Sequence, residues 1–462
     1  MSLSRADIRR LGARLGGRLA HREDALYPTL AASPFPNLEV PWHPELVVRC
    51  DGVSDVIEAV RFAAAHEMGV AVRGGGVGWA GARPRSLLID LADLHGVRVD
   101  PDAQTVQVQG GATWGRLNRE LGQFGLAAAA PQFPRLGVAG HVLGGGHGWL
   151  SGRLGWASDT LRAAELVTAS GELVRADGER RPDLLWALRG AGTNFGVVVW
   201  LELEVIPLAE VTFGLIWFHP DRTAEALALY REWAPRSPDE LTTIVSVAHP
   251  PPAWSGPDEL RGRAAAHLLV CHCGTDEQAR EDLAAVRCHP GVVADEIHRM
   301  PWRQLSIAND VFIAGVHRRS RMHYLREMDD QVIDITARRA LEMDPLSFMS
   351  THFYGGALAR VDEHATAMSH RDKAWNYMVA TTWTSMQDGR PLRRWQDDYL
   401  AEIAERSHNA YYVNYLFDEP AHVPAAYAPQ TWERLRELKQ RWDPENRFAD
   451  NQNIPPLGGL PG

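Results

Sequence analysis

The sequence predicts an α+β fold in two domains, and three observations carry that expectation. The chain has 462 residues, more than one compact core accommodates. Between Leu46 and Val205, short apolar runs alternate with helical stretches and turn residues. From about Leu208 the texture changes to longer helices separated by Pro-rich loops, which places the domain boundary there.

Leu46–Cys50 reads as the first strand. Ser54 is placed to cap a helix running to about Glu67, with Val56, Ala59, Val60 and Ala63 at helical spacing. Val70–Arg73 is a strand that runs directly into Gly74, Gly75 and Gly76, and Ser86–Asp90 and Thr105–Gln109 are further strands. A short helix opens at Thr113. The stretch from Gly137 to Gly155 holds too many glycines for a regular element, because each costs backbone entropy and returns no packing. Leu161–Val167, Leu173–Ala176 and Val197–Val205 complete the strands, and Pro207 closes the series. In the second domain, Thr275 and Gln278 form a capping box after a strand that ends near Cys273. Strands are expected at Leu346–Tyr354, Tyr377–Trp383 and Ala410–Leu416, in a sheet with one face available to a ligand, and Trp432–Arg441 is a last helix.

Composition excludes several classes. Hydrophobic residues make up 45% and charged residues 23% of the chain, an ordinary globular balance. A formal net charge of -10 argues against nucleic acid or an anionic membrane as partner. The first 18 residues scatter Arg among Leu and Ala with no apolar core, so no signal peptide is expected and the cytoplasm is the predicted compartment. No apolar run is long enough to span a bilayer. The cysteines Cys50, Cys271, Cys273 and Cys288 are too few for a disulfide framework, and the spacing of Cys271, Cys273 and Cys288 does not suit a structural zinc site, so no metal is predicted.

Chemistry is concentrated in three glycine clusters: Arg73–Gly81, Gly137–Gly148 and Leu188–Val198. At the first, successive backbone N–H groups at a strand end suit a pyrophosphate, with Arg73 adding charge. The three clusters in this order resemble the FAD domain shared by berberine bridge enzyme, hexose oxidase and hydroxynicotine oxidase. Tyr412-Val-Asn-Tyr415, Arg441–Phe448 and Gln452–Pro456 are similar to the C-terminal segment of that family, and Gly355-Gly-Ala357 and His370-Arg-Asp372 to its substrate-domain landmarks. No G-x-G-x-x-G motif sits between the first strand and its helix, in keeping with a fold that is not a Rossmann fold.

The resemblance implies a PCMH-type FAD-binding domain of two α/β subdomains over residues 1–208. It also implies a substrate domain over 209–407 with an antiparallel sheet backed by helices, and a segment over 408–462 that returns to the FAD domain. The FAD contacts it implies are Arg73, Gly74, Gly75, Gly76, Val77 and Gly78 in the first loop. In the second they are Phe133, Leu136, Gly137, Val138, Gly140, His141, Gly144, Gly145, Gly146 and Gly148, and beyond it Gly192, Asn194, Gly196, Val197, Val198 and Asn414.

Val77 stands where most relatives bond a His to the flavin, and Phe133 where many bond a Cys, so noncovalent FAD is expected. Leu136 occupies a position where, in some of the relatives this chain resembles, bulk hinders oxygen, and the resemblance therefore implies dehydrogenase rather than oxidase behaviour. Oxidation at a C–H beside O or N needs a proton acceptor, and Tyr412, Tyr415 and His147 are the candidates. On a regular strand Tyr412 and Asn414 share a face and Tyr415 points away. His352, Tyr354, Tyr377 and Trp383 are the expected pocket wall. The predicted function is FAD-dependent oxidation of a small metabolite, in natural-product or sugar metabolism, with O2 or another electron acceptor. The competing reading is a redox-neutral cyclase or isomerase that keeps FAD as scaffold.

Overall fold

The computed structural model describes residues 3–32, 43–78, 82–251, 254–308, 316–384, 387–416 and 419–458. Trp79 to Gly81, the end of the first glycine cluster, lie outside them.

Two small sheets form the first part of the chain. In the four-stranded sheet the order is Arg18–His21, Leu46–Arg49, Ser86–Asp90, Gly69–Arg73, and the last three strands are parallel. Parallel neighbours need a crossover, which the helix Val53–Ala65 supplies. Its apolar positions Val56, Ala59, Val60 and Ala63 are wholly buried against Leu46, Val48, Leu87 and Ile89. Ser54 does not cap this helix. Gly52 holds the cap position, and the buried Asp55 carboxylate instead accepts the N–H groups of Asp51, Gly16 and Gly17. Ser54 falls at the second helical position, past the point where a side chain caps.

The second sheet has five strands in the order Val97–Asp100, Thr105–Gln109, Val197–Glu204, Leu161–Val167, Leu173–Asp177, all antiparallel. Sequence patterning placed four of these five strands and missed Val97–Asp100, as it missed Arg18–His21.

The third sheet has eight antiparallel strands, with Leu241–Ala248, Phe348–Phe353, Trp375–Thr384 and Val316–Leu325 adjacent in that order. One face is covered by the helices Thr223–Trp233, Asp276–Arg287, Asp330–Ala340 and Arg390–Ile403, through a core that includes Leu227, Leu283, Val332 and Tyr399. The helix after Cys273 begins with the expected reciprocal cap, in which Thr275 and Gln278 bond each other's backbone N–H. The other face, through Phe213, Ile244, Met322, Tyr324 and Tyr354, joins the same core as the glycine-rich region. That face therefore meets the glycine loops.

Residues 410–416 do not form a strand. Val413–Tyr415 is a 3-10 turn, closed by the Tyr415 N–H on the Tyr412 carbonyl at 2.8 Å. The tail then returns to the first sheets: the Val70 N–H bonds the Arg447 carbonyl, and Ser86 bonds Asp450. Lys439, fully buried with Asp443, donates to the carbonyls of Asn194 and Phe448.

Candidate active site

The glycine loops are shaped by close backbone approach. A Cβ on Gly75 would lie 2.3 Å from the Gly137 nitrogen, and one on Gly137 would lie 2.5 Å from that of Gly75, so the first two loops touch main chain to main chain. Gly145 and Gly146 have φ of +105° and +87°, which only glycine adopts without strain. They turn the chain so that the His141 Nε2 donates to the His147 carbonyl at 3.0 Å. This fixes the His141 tautomer and leaves its buried Nδ1 an acceptor with no partner among the described residues. Burial lowers its pKa to about 4.

Gly78 and Gly140 are different: an added Cβ would meet nothing within 4 Å at either, and Gly140 is exposed between buried neighbours. Bare backbone beside open space, on loops that touch, fits a dinucleotide drawn close to the main chain. Gly74 and Gly76, like Val77, belong to the same turn. Phe133 and Leu136 are half-buried on the approach to Gly137, with the Leu136 N–H bonding the Phe133 carbonyl and the Trp114 N–H bonding the Leu136 carbonyl.

Several residues named from sequence are engaged elsewhere. The Arg73 guanidinium is buried and bonds the carbonyls of Leu30, Ala31 and Ala32 and the Asp90 carboxylate. Asn194 spends its side chain on the carbonyls of Ala191 and Gln452 and on the Ile454 N–H, fastening the tail. Val197 and Val198 sit on a strand, and their side chains fill two different cores. Gly148 and Gly196 serve packing, since a Cβ would meet the Ala130 carbonyl oxygen at 2.1 Å and that of Val167 at 2.6 Å. Gly192 takes a positive φ of 68° and donates its N–H to the Leu143 carbonyl, and Gly144 abuts Asn414.

The candidate proton acceptors converge. The Tyr412 Oη accepts the Gly146 N–H at 2.8 Å and the Asn414 Nδ2 at 3.1 Å, and Asn414 also donates to the His141 carbonyl. The 3-10 turn corrects the strand argument: Tyr412 and Tyr415 stand three residues apart on the same side, their ring centroids 4.9 Å from each other. Burial pushes the Tyr412 phenol up to about 12, against the bonds from Asn414, Gly146 and His147 that favour its anion. Tyr415 is raised by burial and by Tyr412.

Across from this turn, the His147 and His352 Nδ1 atoms are 3.4 Å apart, and the His147 ring also lies 4.9 Å from that of Tyr354. Burial, then His352 and His141, hold His147 well below the ordinary imidazole value, and burial takes His352 down to about 3. Both are neutral at physiological pH. Trp156, not singled out in the sequence, bridges the group, 4.8 Å from Tyr412 and 5.0 Å from Tyr354 between ring centroids. Its backbone N–H is capped by Asp159, which forms a buried two-point ion pair with Arg371.

Tyr377 and Trp383 are not part of this wall. Alternation along Trp375–Thr384 turns residues 377, 379, 381 and 383 to the helix-covered face. There Tyr377 bonds Thr336 and Tyr399, and Trp383 stacks on His317 beneath Arg393. The opposite parity, Asn376 and Met378, faces the glycine loops, beside Tyr324 and His352 on the neighbouring strands.

Comparison with known proteins agrees with this geometry. Residues 44–177 match the model of an FAD binding domain, and residues 411–455 that of a berberine and berberine-like segment. An FAD-linked oxidoreductase of Dictyostelium discoideum is 26% identical over 91% of this chain and 91% of its own length. The (R)-6-hydroxynicotine oxidase of Paenarthrobacter nicotinovorans is 28% identical, covering 90% of this chain and 92% of that one. The crystal structure of 6-hydroxy-D-nicotine oxidase from Arthrobacter nicotinovorans superposes with a TM-score of 0.85 at 25% identity, over 95% of this chain and 98% of that one. The glycine loops, the returning tail and these likenesses together make the chain an FAD-dependent oxidoreductase with a PCMH-type FAD-binding fold, similar along its length to berberine-bridge-enzyme-like proteins.

Proposed function

We propose that the enzyme holds its FAD without a covalent bond and oxidises a small metabolite at a C–H beside a hydroxyl or amine. Bound FAD supplies the hydride acceptor. The C–H hydrogen leaves with its electron pair, the O–H or N–H proton passes to a base, and a carbonyl or imine remains. The two electrons finally pass to O2 or another acceptor.

The observation that carries this reading is the Tyr412 oxygen held by Gly146 and Asn414 at the lip of the glycine loop. Two N–H donors favour negative charge on this oxygen, so Tyr412 receives the substrate proton as a phenolate. His147 and His352, neutral and joined, form the opposite wall. The backbone of Gly74–Gly78 and Gly137–Gly140 carries the dinucleotide, and Val77 and Phe133 offer no nucleophile to the flavin. The test is anaerobic addition of candidate alcohols and amines to the purified protein. Bleaching of the flavin band by a donor supports the reading, and a flavin that dithionite reduces but no donor bleaches counts against it.

A further inference from the structure

Two imidazoles face each other across the junction of the second glycine loop and the strand Phe348–Phe353. The Nδ1 atoms of His147 and His352 are 3.4 Å apart, and that bond uses one of the two ring nitrogens on each side. The His147 ring lies against Tyr354 and meets Trp156 edge-on, and the His352 ring stands between Tyr354 and Tyr415. Neither Nε2 is bonded by a described residue. The unpartnered polar atoms sealed from open space include the Tyr354 Oη and the His141 Nδ1, but neither Nε2 of this pair. Both Nε2 atoms therefore touch open space inside the site.

The tautomers of such a pair are linked. A neutral imidazole carries one proton, so the ring that donates through Nδ1 has a bare Nε2, and the ring that accepts through Nδ1 carries its proton on Nε2. The pair thus presents one acceptor and one donor, on opposite sides of the bond. When the bare Nε2 takes up a proton, the shared proton crosses from one Nδ1 to the other and the second Nε2 releases its own. One proton enters, one leaves, and the two rings end with their tautomers exchanged. A concerted transfer leaves neither ring charged. That suits this place, where burial lowers His352, and burial, then His352 and His141, lower His147. No carboxylate among the described residues bonds either ring to favour an imidazolium.

We propose that His147 and His352 form a two-ring proton relay, through which the proton released by the substrate crosses between the sheet side and the loop side of the site. The inference rests on the reading of this site as one for flavin-dependent oxidation. The Tyr412 oxygen, held by Gly146 and Asn414, takes the proton first, and the relay returns it to the anion. An acceptor that is reduced with proton uptake, as O2 is to hydrogen peroxide, draws a proton back, and one turnover then restores both tautomers.

His352→Asn keeps a short polar group facing the His147 Nδ1 but cannot exchange tautomers, whereas His352→Phe removes the bond as well. Ring-nitrogen NMR of the FAD-loaded, histidine-labelled protein reads the pair with no donor present, its two rings assigned by their loss in His352→Asn and His147→Gln. In wild type both rings are expected to give shifts averaged between the two tautomers, and in His352→Asn the His147 ring is expected to settle in one. Wild-type rings that each stay in a single tautomer would overturn the proposal.

Turnover is then measured with D-glucose, benzyl alcohol and benzylamine as donors and dichlorophenolindophenol as acceptor. In both His352 variants kcat is expected to fall about 10²-fold with KM little changed. Recovery of kcat in His352→Asn but not in His352→Phe would show that the bond only joins the loop to the sheet, and unchanged kcat in both that the proton leaves elsewhere; either overturns the relay. Melting temperatures at neutral pH separate a loss of folding from a loss of the relay. If no donor bleaches the flavin, the redox reading fails, while the NMR exchange still decides whether the pair passes protons.

Discussion

The His147 Nδ1 stands 3.4 Å from the His352 Nδ1, so the glycine loop and the substrate sheet are joined by one hydrogen bond in which one imidazole donates and the other accepts. That arrangement requires the accepting ring to be neutral and is lost when both are protonated. In the folded protein His352 takes a proton only near pH 3 and His147 well below 6.5, whereas in the unfolded chain both do so near 6.5.

The sign of the pH dependence follows. Between pH 6.5 and about 3 the unfolded chain binds more protons than the folded one, so stability is full above that window and falls as pH drops through it. A fully responding group contributes about 1.4 kcal/mol per pH unit. His141, His267 and His323, each lowered to about 4, add to the slope. His352→Phe is expected to flatten the fall in melting temperature between pH 6.5 and 4, measured by calorimetry. An unchanged slope would mean that His352 is charged in the fold.

The Tyr412 oxygen is held by two N–H donors, those of Gly146 and Asn414. Tyr412→Phe removes the acceptor of the Gly146 and Asn414 N–H groups, and is expected to lower the rate of flavin reduction about 10²- to 10⁴-fold. Wild-type rates should climb with pH toward about 12 as the phenol ionises, and the variant should lose that rising limb. Stopped-flow reduction across pH measures both. Tyr415→Phe should keep the limb.

Asp159 and Arg371 lie 212 residues apart in sequence and meet as a buried pair that fixes Trp156 between Tyr412 and Tyr354. Arg371→Met leaves a buried carboxylate uncompensated, at a cost of about 3–5 kcal/mol by urea unfolding. Adding Asp159→Asn should recover part of that loss, and strict additivity would argue against the pairing.

Much of the first domain was legible because its strands are short apolar runs punctuated by glycine. The substrate sheet was less so. Both of its faces are buried, so alternation shows that Tyr377 and Asn376 face opposite ways but not which of them meets the site. The aromatic residues Tyr377 and Trp383 stand out in the sequence, and the parity that faces the glycine loops is the plainer one of Asn376. The apolar alternation at Ala410–Leu416 reads as a strand, yet its 3-10 turn brings Tyr412 and Tyr415 together. Arg73 reads as an anion ligand by its position before three glycines, and the pairing with buried Asp90 on the parallel neighbouring strand carries no local signal in the sequence. Trp156 and Tyr324 carry no local signal, since their importance comes from contacts across domains.

The central claim, FAD held at the Gly75–Gly137 junction without a bond from Val77 or Phe133, is tested most directly by acid precipitation of the purified yellow protein. All flavin absorbance is expected to enter the supernatant as FAD; colour that stays in the pellet through washing would contradict noncovalent binding.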